Sequence, residues 1–129
     1  DCYARHTGVS LPTLFIIEDA FRTKQFKEVI EYIDQYTSSM NINIWDSPSL
    51  QSMRLISLLK SGKMDEARKF CKAFERKAGI NLYQKVSNRL EFIGLHYIVW
   101  EAKRNLEQNA PADFWLDFDP LKYWSQDNK

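Results

Sequence analysis

Glycine and proline are scarce in this chain, four of each in 129 residues, and so few interruptions exclude a many-turned β-fold and favour long regular elements. Cysteine is scarcer. Cys2 and Cys71 are too few for a disulfide framework and lack the spacing of metal ligands. Cys71 falls on the apolar face of its predicted helix and reads as a small buried hydrophobe. Two pairings stay open, a pair of free thiols or a Cys2 to Cys71 bridge in a secreted chain. No run approaches 18 apolar residues, since the stretch around Leu14 to Ile17 is broken by Glu18 and Asp19, and this excludes a spanning helix. A net charge of +1 leaves no global field for nucleic acid or an anionic membrane surface. HExxH, phosphate-loop, nucleophile-elbow and CxxC motifs are absent, so no metal or cofactor is expected. The chain starts at Asp1 rather than Met, which fits a processed secreted or periplasmic protein and equally a domain excised from a larger one.

What is present is the material of one core. The length is near the mode for a single domain, and 44% apolar with 27% charged residues is globular composition. Ser10 and Pro12 mark a helix entry, and Thr23-Lys24-Gln25 reads as a corner. Phe26, Val29, Ile30, Ile33 and Tyr36 then recur at helical spacing, with Glu28, Glu31 and Asp34 on the other side. Thr37 to Asp46 reads as a connector, in which Met40, Ile42 and Ile44 alternate with asparagines as a short extended stretch would. Asp46-Ser47-Pro48 starts a helix whose Leu50, Met53, Leu55, Ile56, Leu58 and Leu59 surround it with apolar groups, the pattern of a helix buried between neighbours. After Ser61-Gly62-Lys63, a further helix turns Met64, Ala67, Phe70, Cys71, Phe74 and Ala78 inward. Gly79 and Ile80 fit a helix C-cap, and Asn81 with Gln84 fits a capping box for a long helix. Its two apolar edges, Val86-Leu90-Ile93-Tyr97-Trp100 and Phe92-Leu95-Val99-Ala102-Leu106, predict packing on two sides. Pro111 ends it.

The expected fold is therefore all-α, one domain over 1–129, with about five helices. The hairpins fall at 10–37 and 47–79 and the long helix at 81–108, and the aromatic-acidic tail, 111–129, packs on the domain.

The chain also resembles itself. Phe21 to Ile33 can be laid over Leu59 to Cys71 at a constant offset of 38 residues. Each copy runs from a helix end through a polar corner to an apolar anchor, a charged pair ending in Glu, and an aromatic. Ser61-Gly62-Lys63-Met64-Asp65-Glu66-Ala67 resembles the corner of the tetratricopeptide repeat family, with Gly62 at the turn and Ala67 at the helix crossing. The first copy departs from it, carrying Lys24 for the glycine and Val29 for the alanine. The resemblance covers Leu14 to Ala78 and implies either right-handed stacked hairpins or, where it fails, a small helical bundle. It also implies a binding groove lined by the first helix of each hairpin, with Glu18, Arg22, Ser52 and Lys60 as polar contacts.

Catalytic candidates are thin. His6 lies in the N-terminal segment, and His96 has no His or Asp four residues away with which to share a metal, so both read as structural. Glu91 and Glu101 lie about 15 Å apart along one helix, too far to cooperate directly. A small enzyme of the hydrolase kind, with a site near Glu91, His96 and Tyr97, is the alternative from a different class.

Charge is more suggestive. Lys60 to Ala78 holds seven basic and three acidic residues, and Arg68, Lys72 and Arg76 recur four apart, stacking on one helix face. This is an ordinary solvated face or a docking stripe for an acidic protein. In the tail, Phe114, Trp115, Phe118 and Trp124 read either as rings that complete the core or as anchors offered to a partner. The leading expectation is a non-catalytic protein-binding module, an adaptor, chaperone-like binder or inhibitor. A third reading is a fragment of a larger helical-repeat protein, whose end faces would stack on further repeats.

Overall fold

The computed structural model describes residues 11–39, 47–77 and 89–117. Within them lie six helices and no strand: α1 (Leu11–Arg22), α2 (Phe26–Ser39), α3 (Pro48–Lys60), α4 (Met64–Lys77), α5 (Arg89–Glu107) and α6 (Ala112–Asp117). Ser10, the Met40 to Ile44 alternation, the Gly79 cap and the Asn81 capping box lie outside the described residues, as do Cys2 and His6.

The two short corners share one backbone solution. At the first, Lys24 N–H donates to the Phe21 carbonyl at 3.1 Å and Gln25 N–H to that of Ala20 at 2.8 Å. At the second, Gly62 N–H donates to Leu59 at 3.2 Å and Lys63 N–H to Leu58 at 2.9 Å. Each partner is displaced by the same 38 residues, and both corners are Schellman caps that satisfy the last carbonyls of the preceding helix. Such a cap needs one residue in the left-handed region, supplied by Gly62 at φ 78° and Lys24 at φ 62°. A third cap of the same form closes α5 on Asn109, at φ 53°.

Entry into α3 differs from expectation in one respect. Pro48 occupies the first turn, but the Ser47 side chain makes no capping hydrogen bond. The end of α2 also runs past Thr37 to Ser39, and in its last turns Thr37 Oγ1 donates back to the Ile33 carbonyl at 2.9 Å and Ser39 Oγ to that of Tyr36 at 3.3 Å.

Packing centres on α3. It lies against α2, α4, α5 and α6, while α1 packs on α2 and α5 also packs on α4. The two ends of α3 serve different clusters. Leu50 and Met53 join Ile17 and Ala20 of α1 with Val29 and Ile33 of α2. Leu55, Ile56, Leu58 and Leu59 join Phe70, Cys71 and Phe74 of α4, Leu95, Ile98, Val99, Ala102 and Leu106 of α5, and Trp115 of α6. Phe21 touches both clusters, and its ring meets Phe26 edge-on at 5.9 Å across the first corner.

The apolar edges of α5 divide. Leu95, Val99, Ala102 and Leu106 are buried, whereas Ile93, Tyr97 and Trp100 are exposed, so among the described residues the helix packs on one side only. The aromatic tail is core at Trp115, which is 3% exposed, while Phe114 stands outside it with its ring edge-on at 5.1 Å. Phe118 and Trp124 lie outside the described residues.

Candidate functional site

Ion pairs tie neighbouring helices. Arg54 Nε of α3 donates to Asp34 Oδ1 of α2 at 2.8 Å and Nη2 to Oδ2 at 3.4 Å, a two-point grip that fixes the guanidinium plane. On the opposite flank, Lys103 Nζ of α5 lies 3.0 Å from Glu75 Oε1 of α4 and 3.9 Å from Glu107. The hydrogen bond and charge of Glu75 hold the Lys103 ammonium above its ordinary pKa.

The Asp34–Arg54 pair borders an open cleft of about 400 Å³ where α2, α3 and α4 meet. Thr37 joins Asp34 on the α2 side, Gln51 and Arg54 come from α3, and Glu66, Lys69, Phe70 and Ala73 come from α4. Phe70 and Ala73 give it an apolar part, and the other residues are polar. Its charged groups balance, two carboxylates against two cations. Glu66 and Lys69 make no ion pair among the described residues. Gln51 is buried, 2% exposed.

None of the seven residues expected at a partner surface lines this cleft. Arg68, Lys72 and Arg76 do share one exposed face of α4, with Arg68 Nη1 3.2 Å from Asp65. Lys69, one residue before the cleft's Phe70 and three before Lys72, joins that stripe to the cleft wall. Arg22 is exposed, and Glu18 and Lys60 are half-buried. Ser52 is fully buried, so it is out of reach of an open groove. Its Oγ and that of Ser57 meet no hydrogen-bond partner. The register assumed for α3 put Ser52 outside, but a helix packed on most of its circumference leaves little surface for polar contacts.

His96 is exposed, its ring centroid 5.7 Å from that of Phe74, and it does not line the cleft. Tyr97 is half exposed on the outer face of α5. No three potential metal ligands gather among the described residues, and no helix there is long and apolar enough to cross a membrane. Cys71 is a free thiol, buried, and burial pushes its pKa up to about 12, with Glu75 adding to the rise and Lys103 opposing it.

Large apolar side chains mark both ends of the helix stack. Phe15 and Ile16 are exposed on α1. Ile93, Tyr97 and Trp100 form an outward stripe on α5, and Arg104 lies 5.1 Å over the Trp100 ring.

No family model, curated protein or solved structure matches this chain.

Proposed function

We propose that the chain is a non-catalytic protein-binding module, acting as an adaptor, chaperone-like binder or inhibitor through the surface between its helical hairpins. The observation that carries this reading is the cleft at α2, α3 and α4, which combines an apolar part from Phe70 and Ala73 with charges held by the Asp34–Arg54 pair. Binding sites are concave and mostly apolar, with a few placed polar groups that set orientation. Identical caps at Lys24 and Gly62 support the tetratricopeptide-like reading of the hairpins. The occupied surface differs from the one that resemblance implies, since the cleft lies beside the second helices α2 and α4. The basic stripe of Arg68, Lys72 and Arg76 would extend the contact to acidic residues of a partner.

The test is a plug. Ala73→Arg puts a long side chain into the cleft at a half-buried position. Peptides selected from a displayed random library on the wild-type protein should lose binding to this variant while its thermal melt stays in place. If the selected peptides bind both proteins equally, the cleft is not the binding surface.

The exposed end faces favour a second reading. Phe15 and Ile16 at one end and Ile93, Tyr97 and Trp100 at the other would be covered if further helical repeats continued the stack in a longer protein.

A further inference from the structure

We infer that the chain associates with itself head to tail, the outer face of α1 in one copy docking on the outer face of α5 in the next. The cleft takes no part in this contact, which stands or falls apart from the reading above. The two faces close off opposite ends of the helix order, since α1 packs chiefly on α2 and α5 on α3 and α4. Both turn large apolar groups outward. Phe15 and Ile16 are 59% and 55% exposed on α1, and Ile93, Tyr97 and Trp100 are 38%, 51% and 54% exposed on α5. Apolar groups gathered on one face, unlike scattered ones, mark a contact surface.

Charge complementarity names the occupant. Residues three and four apart share a helix face, so the α1 stripe continues from Phe15 through Asp19 to Arg22 and the α5 stripe from Trp100 through Arg104 to Glu107. The spacing is the same in both and the signs are reversed. Laying Phe15 of one copy on Trp100 of the next, with the helices parallel, therefore brings Asp19 to Arg104 and Arg22 to Glu107. Run antiparallel, the same ring contact sets the Arg22 charge on Ile93. All four charged residues are exposed. Asp19 and Arg22 make no ion pair among the described residues. Arg104 lies 3.8 Å from Glu101, and Glu107 lies 3.9 Å from Lys103, both beyond hydrogen-bond distance. Each keeps donors or acceptors for a neighbour. Opposite charges at matched positions fix the register of an interface more than they add to its strength.

Area sets the strength. With roughly 150–250 Å² per large side chain, the five exposed groups offer roughly 500 Å² of apolar surface between the two faces. An interface is about 55–60% apolar, so the whole contact buries roughly 900 Å². A stable pair buries about 1,200–2,000 Å², which makes this contact weak and reversible. Its two faces differ, so each added copy presents a fresh face to the next, and assembly does not stop at a dimer unless the rotation between copies closes a ring.

The test is sedimentation velocity of the full chain from about 10 µM to about 1 mM, the range in which a weak interface fills. The weight-average sedimentation coefficient should climb with concentration. Phe15→Glu and Trp100→Glu each spoil one face at an exposed position, so each should keep its thermal melt and lose association by about tenfold or more. Mixed in equal amounts, the two variants retain one intact pair of faces, α1 from Trp100→Glu and α5 from Phe15→Glu. They should form a 1:1 dimer that grows no further. Asp19→Arg or Arg104→Asp alone should weaken association by about fivefold, and the two together in one chain should recover it. Wild-type protein that stays monomeric across the whole range overturns the inference and leaves the cleft reading untouched. Undiminished association of Phe15→Glu alone means that α5 meets α5, and that of Trp100→Glu alone that α1 meets α1; either result overturns the head-to-tail contact. Failure of the double charge swap to recover association overturns the parallel register. Should Phe15→Glu fail to fold, Ile16→Glu takes its place on the same face.

Discussion

Lys24 and Gly62 occupy the same place in two corners, and only one of them suits it. A side chain in the left-handed region costs about 1–2 kcal/mol, whereas glycine adopts it without steric cost. Lys24→Gly should therefore stabilise the protein by about 0.5–1 kcal/mol after the greater freedom of glycine in the unfolded chain is counted. Gly62→Ala should destabilise by about 1 kcal/mol. Nothing lies within 4 Å of the new methyl group, so the loss comes from the backbone alone. Thermal melts should move up and down by a few degrees, and movement in the same direction would show that the corners are not equivalent. The buried serines of α3 give a second residue-level test. Ser52→Ala removes a hydroxyl without a partner and adds helix propensity, so the melting temperature should rise. A fall would mean that the hydroxyl is satisfied in solution. Cys71 gives a third. Its thiol titrates higher in the folded state than in the unfolded chain, so its stabilising contribution is complete below pH about 9 and is lost as pH rises toward about 12. Across that window it steepens the fall in stability by at most about 1.4 kcal/mol per pH unit. Denaturant titrations of Cys71→Ala should show a shallower alkaline fall than the wild type, and parallel curves would refute the buried-thiol assignment.

At the scale of elements, α4 divides its surface by chemistry. Ala67, Phe70, Cys71 and Phe74 turn to the core, and Arg68, Lys72 and Arg76 turn to solvent. The Arg68–Asp65 pair is exposed, and exposed pairs contribute little to stability. Reversing all three basic residues to glutamate should leave the melt within a few degrees of wild type while weakening capture of acidic peptides. Unfolding of the variant would show that the stripe is paired internally. The helix periodicities were readable because an amphipathic helix writes its buried face into its own sequence. The packing of α5 was less readable. Its two apolar edges predicted neighbours on both sides, but an apolar stripe does not say whether a neighbour is there, and Ile93, Tyr97 and Trp100 stand exposed.

For the molecule as a whole, α3 couples the two clusters, and α6 closes the larger one through Trp115. Truncation before Pro111 removes that ring from the core. Losing a buried large aromatic costs about 3–5 kcal/mol, a large part of the stability margin of a small domain. The truncated chain should melt far lower or aggregate, and Trp115→Ala alone should reproduce much of that loss. A truncated chain with the original cooperative melt would make the tail an appendage rather than core.

The sequence alone determined what depends on neighbours along the chain. Helical periodicity, the corner at Ser61-Gly62-Lys63, its counterpart 38 residues earlier and the encirclement of α3 by apolar groups all arise within one or two turns of backbone. The tertiary structure decided what depends on residues far apart. Asp34 of α2 meets Arg54 of α3 across 20 positions and Glu75 of α4 meets Lys103 of α5, and neither pairing leaves a local pattern. Burial of polar groups was hidden for the same reason. Ser52 and Gln51 are adjacent polar residues on one helix, alike in a hydropathy pattern. The rotation of α3 among its neighbours encloses Ser52 completely and places Gln51 on the cleft between α2 and α4.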